Sequence, residues 1–235
     1  MFVPIHDENP LRSIRFQWVT LSLLAINAAV FIGASTGVPE RVFLSFALVP
    51  IELFDQWPFE ARGLPQVFDE IDVREMWTLL TYQFVHVDAF HFVGNMLFLW
   101  VFGDNVEDDL GHGRFLLFYL ACGVAGGIAH LLLSDMPEVP LIGASGAISG
   151  VVSAYVLLHP RVRLWVLLFK FIPIPVTAAV ALGLWIIAQF AMPFLAEKAQ
   201  IAWWAHIGGI IAGSVLVWPL RRPGLVPPDG RPTQV

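Results

Sequence analysis

The chain has 235 residues, of which 57% are hydrophobic and 14% charged, with a mean hydropathy of +0.71. Soluble domains carry about 25% charged residues, so this composition excludes an ordinary soluble protein and indicates one membrane-embedded domain. The net charge of −6 argues against nucleic-acid binding, and a single cysteine, Cys122, excludes an internal disulfide framework.

A membrane-crossing helix needs roughly 20 largely apolar residues, and six stretches are read as spans. Residues 1–16 form a segment ahead of the first, Gln17–Ala34, whose apolar run is longer than the about 7–15 residues of a signal-peptide core and is therefore read as a retained helix. The connection from about Ser35 to Asp88 holds VFLSFALVPIELF and Trp57. It is too apolar for a solvated loop and too broken for a span, which suggests an interfacial segment. The second span covers about Ala89–Gly103, the third Phe115–Leu133 and the fourth about Ile142–Leu158. In the next stretch, Leu164–Val176, two prolines and Lys170 argue against a span, and no element is assigned to it. The fifth span covers about Pro175–Phe194 and the sixth about Ala202–Leu220. Residues 17–220 thus form the membrane domain, and the tail, 221–235, reads as disordered. The fold class expected is an all-α membrane bundle of six helices.

Charge bias orients the bundle. With the N-terminus in the cytoplasm, the inner segments hold nine cations: Arg12, Arg15, Arg114, Arg161, Arg163, Lys170, Arg221, Arg222 and Arg231. The outer segments hold four: Arg41, Arg62, Arg74 and Lys198. Both termini are therefore expected to be cytoplasmic, with spans two, four and six running inward.

Polar residues inside a membrane are costly, and three groups of them stand near the outer ends of those inward-running spans. They are HFVGN (His91, Asn95), GASG (Ser145) and WWAHIGG (His206). Gly146, Gly150 and Ala154 recur every four residues in span four, as do Ala205, Gly209 and Gly213 in span six. Such faces let membrane helices approach backbone to backbone. That approach would bring Ser145 within reach of His206, a general base for the hydroxyl and a general acid for a leaving amine. Gly143, two residues before Ser145, is read with these glycines as a packing residue near the site, and Ser145 precedes the body of its helix, where free N–H groups suit an oxyanion. His91 and Asn95, four residues apart, share a helix face and can both donate hydrogen bonds.

Each motif alone has a bland reading as packing or interhelical hydrogen bonding; their common depth favours a catalytic site. Ser149 and Ser153 continue the small face of span four. Asn27, His130 and Gln189 read as isolated hydrogen-bonding residues, and Glu107, Asp108 and Asp109 as solvating or tying down the turn after span two. His6, His112 and His159 fall near span ends, and His86 stands close enough to the cluster to support it. His86, Asp88 and His91 could hold a metal, but there is no HExxH and no metal or other cofactor is expected.

These residues resemble the rhomboid intramembrane serine proteases over nearly the whole chain: six spans, a long first outer loop, HFVGNMLFLWVFGDNVEDDLG, GASGAISG and AWWAHIGG. The resemblance implies Ser145 as nucleophile, His206 as its base, and an oxyanion hole of His91, Asn95 and the Ser145 N–H. It implies a two-residue dyad, consistent with spans four and six carrying no carboxylate. Its substrates would be other membrane proteins, cut in or beside a transmembrane helix near the outer face, where helix-destabilising residues ease unwinding. Span five and the PFLAEKAQ loop would form the gate and cap. The compact six-span layout and short tails suggest a bacterial-type plasma membrane as the setting. Two departures concern positions that anchor the site in many or some members: Trp77-Thr78 stands for a Trp-Arg pair, and Ser149 for a tyrosine that stacks on the histidine. The rival readings are a transporter or channel, disfavoured by the lack of midplane charges and matched broken helices, and a non-catalytic binder of membrane helices. Natural substrate and oligomeric state are not legible.

Overall fold

The computed structural model describes residues 3–56, 71, 73–86, 88–168, 171–195 and 201–223. Trp57, residues 196–200 of the PFLAEKAQ loop and nearly all of the C-terminal tail lie outside these. Strand β1 (Val3–Asp7) opens the chain and is followed by helix α1 (Trp18–Ser35). Among the described residues of the first connection lie three short helices, α2 (Glu40–Leu44), α3 (Pro50–Gln56) and α4 (Glu75–Thr81), with a 3-10 turn at Tyr82–Phe84. Then come α5 (Ala89–Leu110), α6 (His112–Leu133), α7 (Ser145–Leu158), strands β2 (Arg163–Leu168) and β3 (Ile172–Thr177), α8 (Ala178–Leu195) and α9 (Trp203–Leu220).

Among the described residues, four helices, α1, α6, α8 and α9, are long and apolar enough to cross a membrane. A fifth candidate is the pair Glu75–Phe84 and Ala89–Leu110, bent by 80°. Helix α7 has only 14 residues, about 21 Å of rise against a hydrocarbon core of about 30 Å. The protein is a mostly helical membrane protein.

It is not all-α. Strands β1, β2 and β3 form an antiparallel sheet that joins the N-terminal segment to the stretch before α8. The register pairs Asp7 with Leu164 and Trp165 with Pro175, and β1 carries an irregularity between Pro4 and His6. Leu164–Val176 is thus a hairpin. Its exposure alternates along β3, and Pro173 and Pro175 sit on that edge strand, where missing N–H groups are tolerated and blunt pairing with other chains. Because Pro175 belongs to β3, the helix of the fifth expected span, α8, begins at Ala178.

Helix α5 runs two turns past the expected Gly103 because its polar end is buried. Glu107 accepts the amides of Val19 and Thr20, at 3.0 and 2.7 Å, and the Thr20 hydroxyl. Those amides belong to the first turn of α1, whose own cap residue Gln17 makes no side-chain bond. Asp108 accepts the amides of Arg12, Ser13 and Ile14, and Asp109 pairs with His159 just past α7 at 2.7 Å. Asp7 meets the Tyr155 hydroxyl at 2.5 Å, and burial holds the Asp7 carboxyl above its ordinary range. Glu107 also meets the His112 imidazole at the start of α6, so the acidic run ties down the turn after α5, as one of the two expected readings had it, and joins three further segments to it rather than solvating it.

Charge-assisted bonds contribute roughly 1.5–3 kcal/mol each, so Glu107→Ala is expected to lower the unfolding free energy by at least about 3 kcal/mol. Thermal unfolding in detergent checks this; an unchanged midpoint would mean that α1 is held by other contacts.

Candidate active site

The site begins with backbone shape. Gly143 has φ +107°, a conformation that L side chains rarely adopt, and a Cβ there would run into the His91 ring. Its amide donates to the Tyr82 carbonyl at 2.9 Å. Ser145 is the first residue of α7, so its N–H has no partner in the preceding turn of its own helix. Helix α5 is capped by Asp88, whose carboxylate accepts the His91 amide at 2.8 Å. That cap sets the rotation of α5 and brings His91 beside Gly143.

Ser145 and His206 meet because α7 and α9 touch through their backbones. A Cβ on Gly209 would strike the Gly146 carbonyl oxygen, and one on Gly213 would strike that of Gly150. A Cβ on Gly150 would lie 2.5 Å from the Cys122 sulfur. Helix α6 joins the contact through a small face that the sequence reading did not single out. Cβ atoms on Gly126 and Gly208 would each come within 2.7 Å of a carbonyl on the facing helix, that of Ala205 or Ala125.

With the helices this close, His206 Nε2 lies 2.8 Å from Ser145 Oγ. The other ring nitrogen, Nδ1, lies 2.7 Å from Oε1 of Gln189 on α8. Trp185 stacks on the imidazole at 6.5 Å between centroids, and Trp203 meets it edge-on at 5.9 Å. These contacts hold the ring where Ser149 stands in place of a tyrosine; the Ser149 hydroxyl instead donates to the Ser145 carbonyl at 2.6 Å.

Asn95 is buried, and its Nδ2 lies 3.0 Å from His86 Nε2. The same nitrogen accepts the Ala144 amide at 3.4 Å. A nitrogen accepting an amide carries no hydrogen, so the Asn95 amide donates to it and keeps a second N–H free. His86 therefore links α5 to the turn before Ser145. Its sequence signal was proximity alone, and Gln189 gave none beyond being a polar residue in a span.

The first connection is anchored without a Trp-Arg pair. Leu48 and Leu141 exchange backbone hydrogen bonds at 3.0 and 2.8 Å. The Tyr82 hydroxyl donates to the Gly123 carbonyl at 2.6 Å, and Thr78 bonds to the Glu75 carbonyl within α4.

A profile of the Rhomboid domain matches residues 73–223, well over half of the chain. The chain belongs to the rhomboid family. Among its relatives, RHOMBOID-like protein 12, mitochondrial, of Arabidopsis thaliana is 29% identical over 210 residues, covering 80% of this chain and 61% of the relative. Rhomboid protease GluP of Bacillus subtilis (strain 168) is 46% identical over 89 residues, 37% of this rhomboid and 17% of the relative. Rhomboid protein 1, mitochondrial, of Saccharomyces cerevisiae is 30% identical over 148 residues, covering 59% and 40%. This rhomboid thus spans less than two thirds of each of these relatives.

Overpacking at a close contact typically costs about 1–3 kcal/mol. Gly209→Ala is expected to lose at least that much stability, whereas Gly183→Ala, with nothing within 4 Å of the added methyl, should be neutral or slightly stabilising. Unfolding midpoints of the two variants in one detergent check this; equal midpoints would remove the backbone contact from the account.

Proposed function

We propose that this rhomboid is an intramembrane serine endopeptidase that cuts other membrane proteins in or beside a transmembrane helix. The observation that carries the reading is the 2.8 Å contact between His206 Nε2 and Ser145 Oγ, from separate helices. Family membership supports it, and the Bacillus relative is itself named a protease.

In this mechanism His206 Nε2 takes the Ser145 hydroxyl proton as Oγ bonds to the scissile carbonyl carbon. The carbonyl oxygen becomes an oxyanion, bound by the Ser145 N–H, the free N–H of Asn95 and the His91 ring. The tetrahedral adduct collapses, the C–N bond breaks, and the amine leaves with the proton held on Nε2. Water then repeats the sequence on the acyl-enzyme and releases Ser145. No cofactor takes part.

We further infer six spans, α1, α5, α6, α7, α8 and α9, with both termini cytoplasmic. The nine-to-four excess of cations on the inner side supports this orientation. The short α7 supports a site below the outer surface, because a helix about 9 Å short of the core thickness starts inside the membrane when its far end reaches the inner interface. Lipid and helix-bearing substrates are then the partners. Relatives named mitochondrial stand beside the bacterial one, so the family does not single out a bacterial plasma membrane.

Ser145→Ala and His206→Ala should abolish cleavage of single-span test proteins and labelling by a fluorophosphonate, with folding retained. Asn95→Ala should lower kcat by about 10²–10³, the usual effect of one lost oxyanion donor. A folded wild type that neither labels nor cleaves any of the panel would favour a non-catalytic binder of membrane helices.

A further inference from the structure

We propose that Gln189 is a positioning residue for His206, and that it couples the placement of α8 to the readiness of the Ser145–His206 pair. The inference rests on the protease reading and adds a residue to it. Gln189 Nε2 lies 3.3 Å from the Trp185 carbonyl oxygen. A carbonyl can only accept, so the group facing it is the amide NH2, and the group facing His206 is the amide oxygen. That oxygen also only accepts, so the hydrogen of the neutral imidazole sits on Nδ1. Nε2 is then bare and directed at the Ser145 hydroxyl, the form a general base needs.

The place of Gln189 on its helix supplies the coupling. The inner end of α8 continues directly from β3 and buries Ala178, Ala181 and Leu182. Beyond Leu182, Gln189 is the only buried residue of α8. Around it, Leu184, Ile187, Phe194 and Leu195 are 63 to 77% exposed in the monomer, as suits a face turned to lipid. The hydrogen bond that sets the tautomer is therefore also an attachment of the outer half of α8, beside the ring contacts of Trp185 with Phe98 and of Phe194 with Trp204. When that half moves outward, His206 loses its Nδ1 acceptor and the dyad is no longer poised; when it returns, the base is restored. A carboxylate in this position would hold the imidazole equally well, but it would bring a net charge into the bilayer. The amide orients the ring without that cost.

Two variants of the full chain test this. Gln189→Met keeps the length and removes the acceptor; Gln189→Glu keeps an acceptor and adds charge. The readouts are the rate of labelling by a small fluorophosphonate, which needs no helix to enter, and its pH profile, beside substrate cleavage and the unfolding midpoint. Gln189→Met should label about tenfold more slowly or worse, the effect of one neutral hydrogen bond made when the base is poised. Its cleavage should fall in kcat rather than KM. Gln189→Glu should label near the wild-type rate at neutral pH, with the acidic limb moved to higher pH, because a carboxylate beside Nδ1 favours the imidazolium. The other titratable groups acting on His206, His91 on α5 and His130 on α6, are unchanged in both variants.

Wild-type labelling rates and pH profiles in both variants would overturn the proposal. So would slower cleavage by Gln189→Met with unchanged labelling, which would make Gln189 a residue of helix movement alone. If Gln189→Met does not fold, Gln189→Glu decides: an unmoved acidic limb overturns the proposal. A folded wild type that does not label would remove the protease reading itself, and the inference with it.

Discussion

The contact between the backbones of α7 and α9 determines everything that follows in this molecule. Inside a bilayer no hydrophobic force draws two helices together, since lipid tails are as apolar as leucine. Close packing and polar contacts must do it. Gly209 against the Gly146 carbonyl, and Gly213 against that of Gly150, bring the helices to a separation that any side chain would prevent. At that separation Ser145 Oγ and His206 Nε2 lie 2.8 Å apart. Helix α6 closes the other side with the same kind of surface, so the pair is held by three helices whose mutual spacing is set by main-chain atoms rather than by rotatable side chains.

The polar groups are sorted by charge. At the serine end the hydrogen bonds run Ser145, His206, Gln189 and the Trp185 carbonyl. A second set joins Asn95 and the Ala144 amide through His86. Neither set contains an acid or a permanent cation. At the other end Glu107, Asp108 and Asp109 are buried but saturated with backbone amides, a hydroxyl and histidine nitrogens. A charge away from water is tolerable when it is fully hydrogen-bonded, and that condition is met at the end where α1, α7 and the N-terminal segment have to be joined. Apart from the Asp88 carboxylate that caps α5, the serine end uses neutral dipoles, which orient without a large desolvation penalty.

Much of this was legible in the residues. The long helices announce themselves by apolar length, and the four-residue recurrence of small side chains indicates the close contact. The shared depth of His91, Asn95, Ser145 and His206 indicates the cluster. The misreadings have physical causes. A short apolar run with two prolines has no period that separates strand from loop, and the partner of the hairpin, Val3–Asp7, lies some 160 residues away in sequence. The last two turns of α5 look like a loop because buried acids and solvated acids are the same letters. Only the presence of the Arg12–Ile14 and Val19–Thr20 amides separates the two. Gln189 was passed over because its meaning depends on the rotation of α8, which composition does not encode. The Gly126 face was overlooked because α6 carries no polar motif to draw the eye.

Cys122 is fully buried and packed against Gly150. The native sulfhydryl is therefore shielded from water-borne alkylating reagents. A thiol introduced by mutation at the rim of α8 or on α4 would be the one available to a spin label or a dye. The wild-type sequence is already a near cysteine-free background for measuring distances between helices, with no need to disturb the small-residue seam by replacing its sulfur.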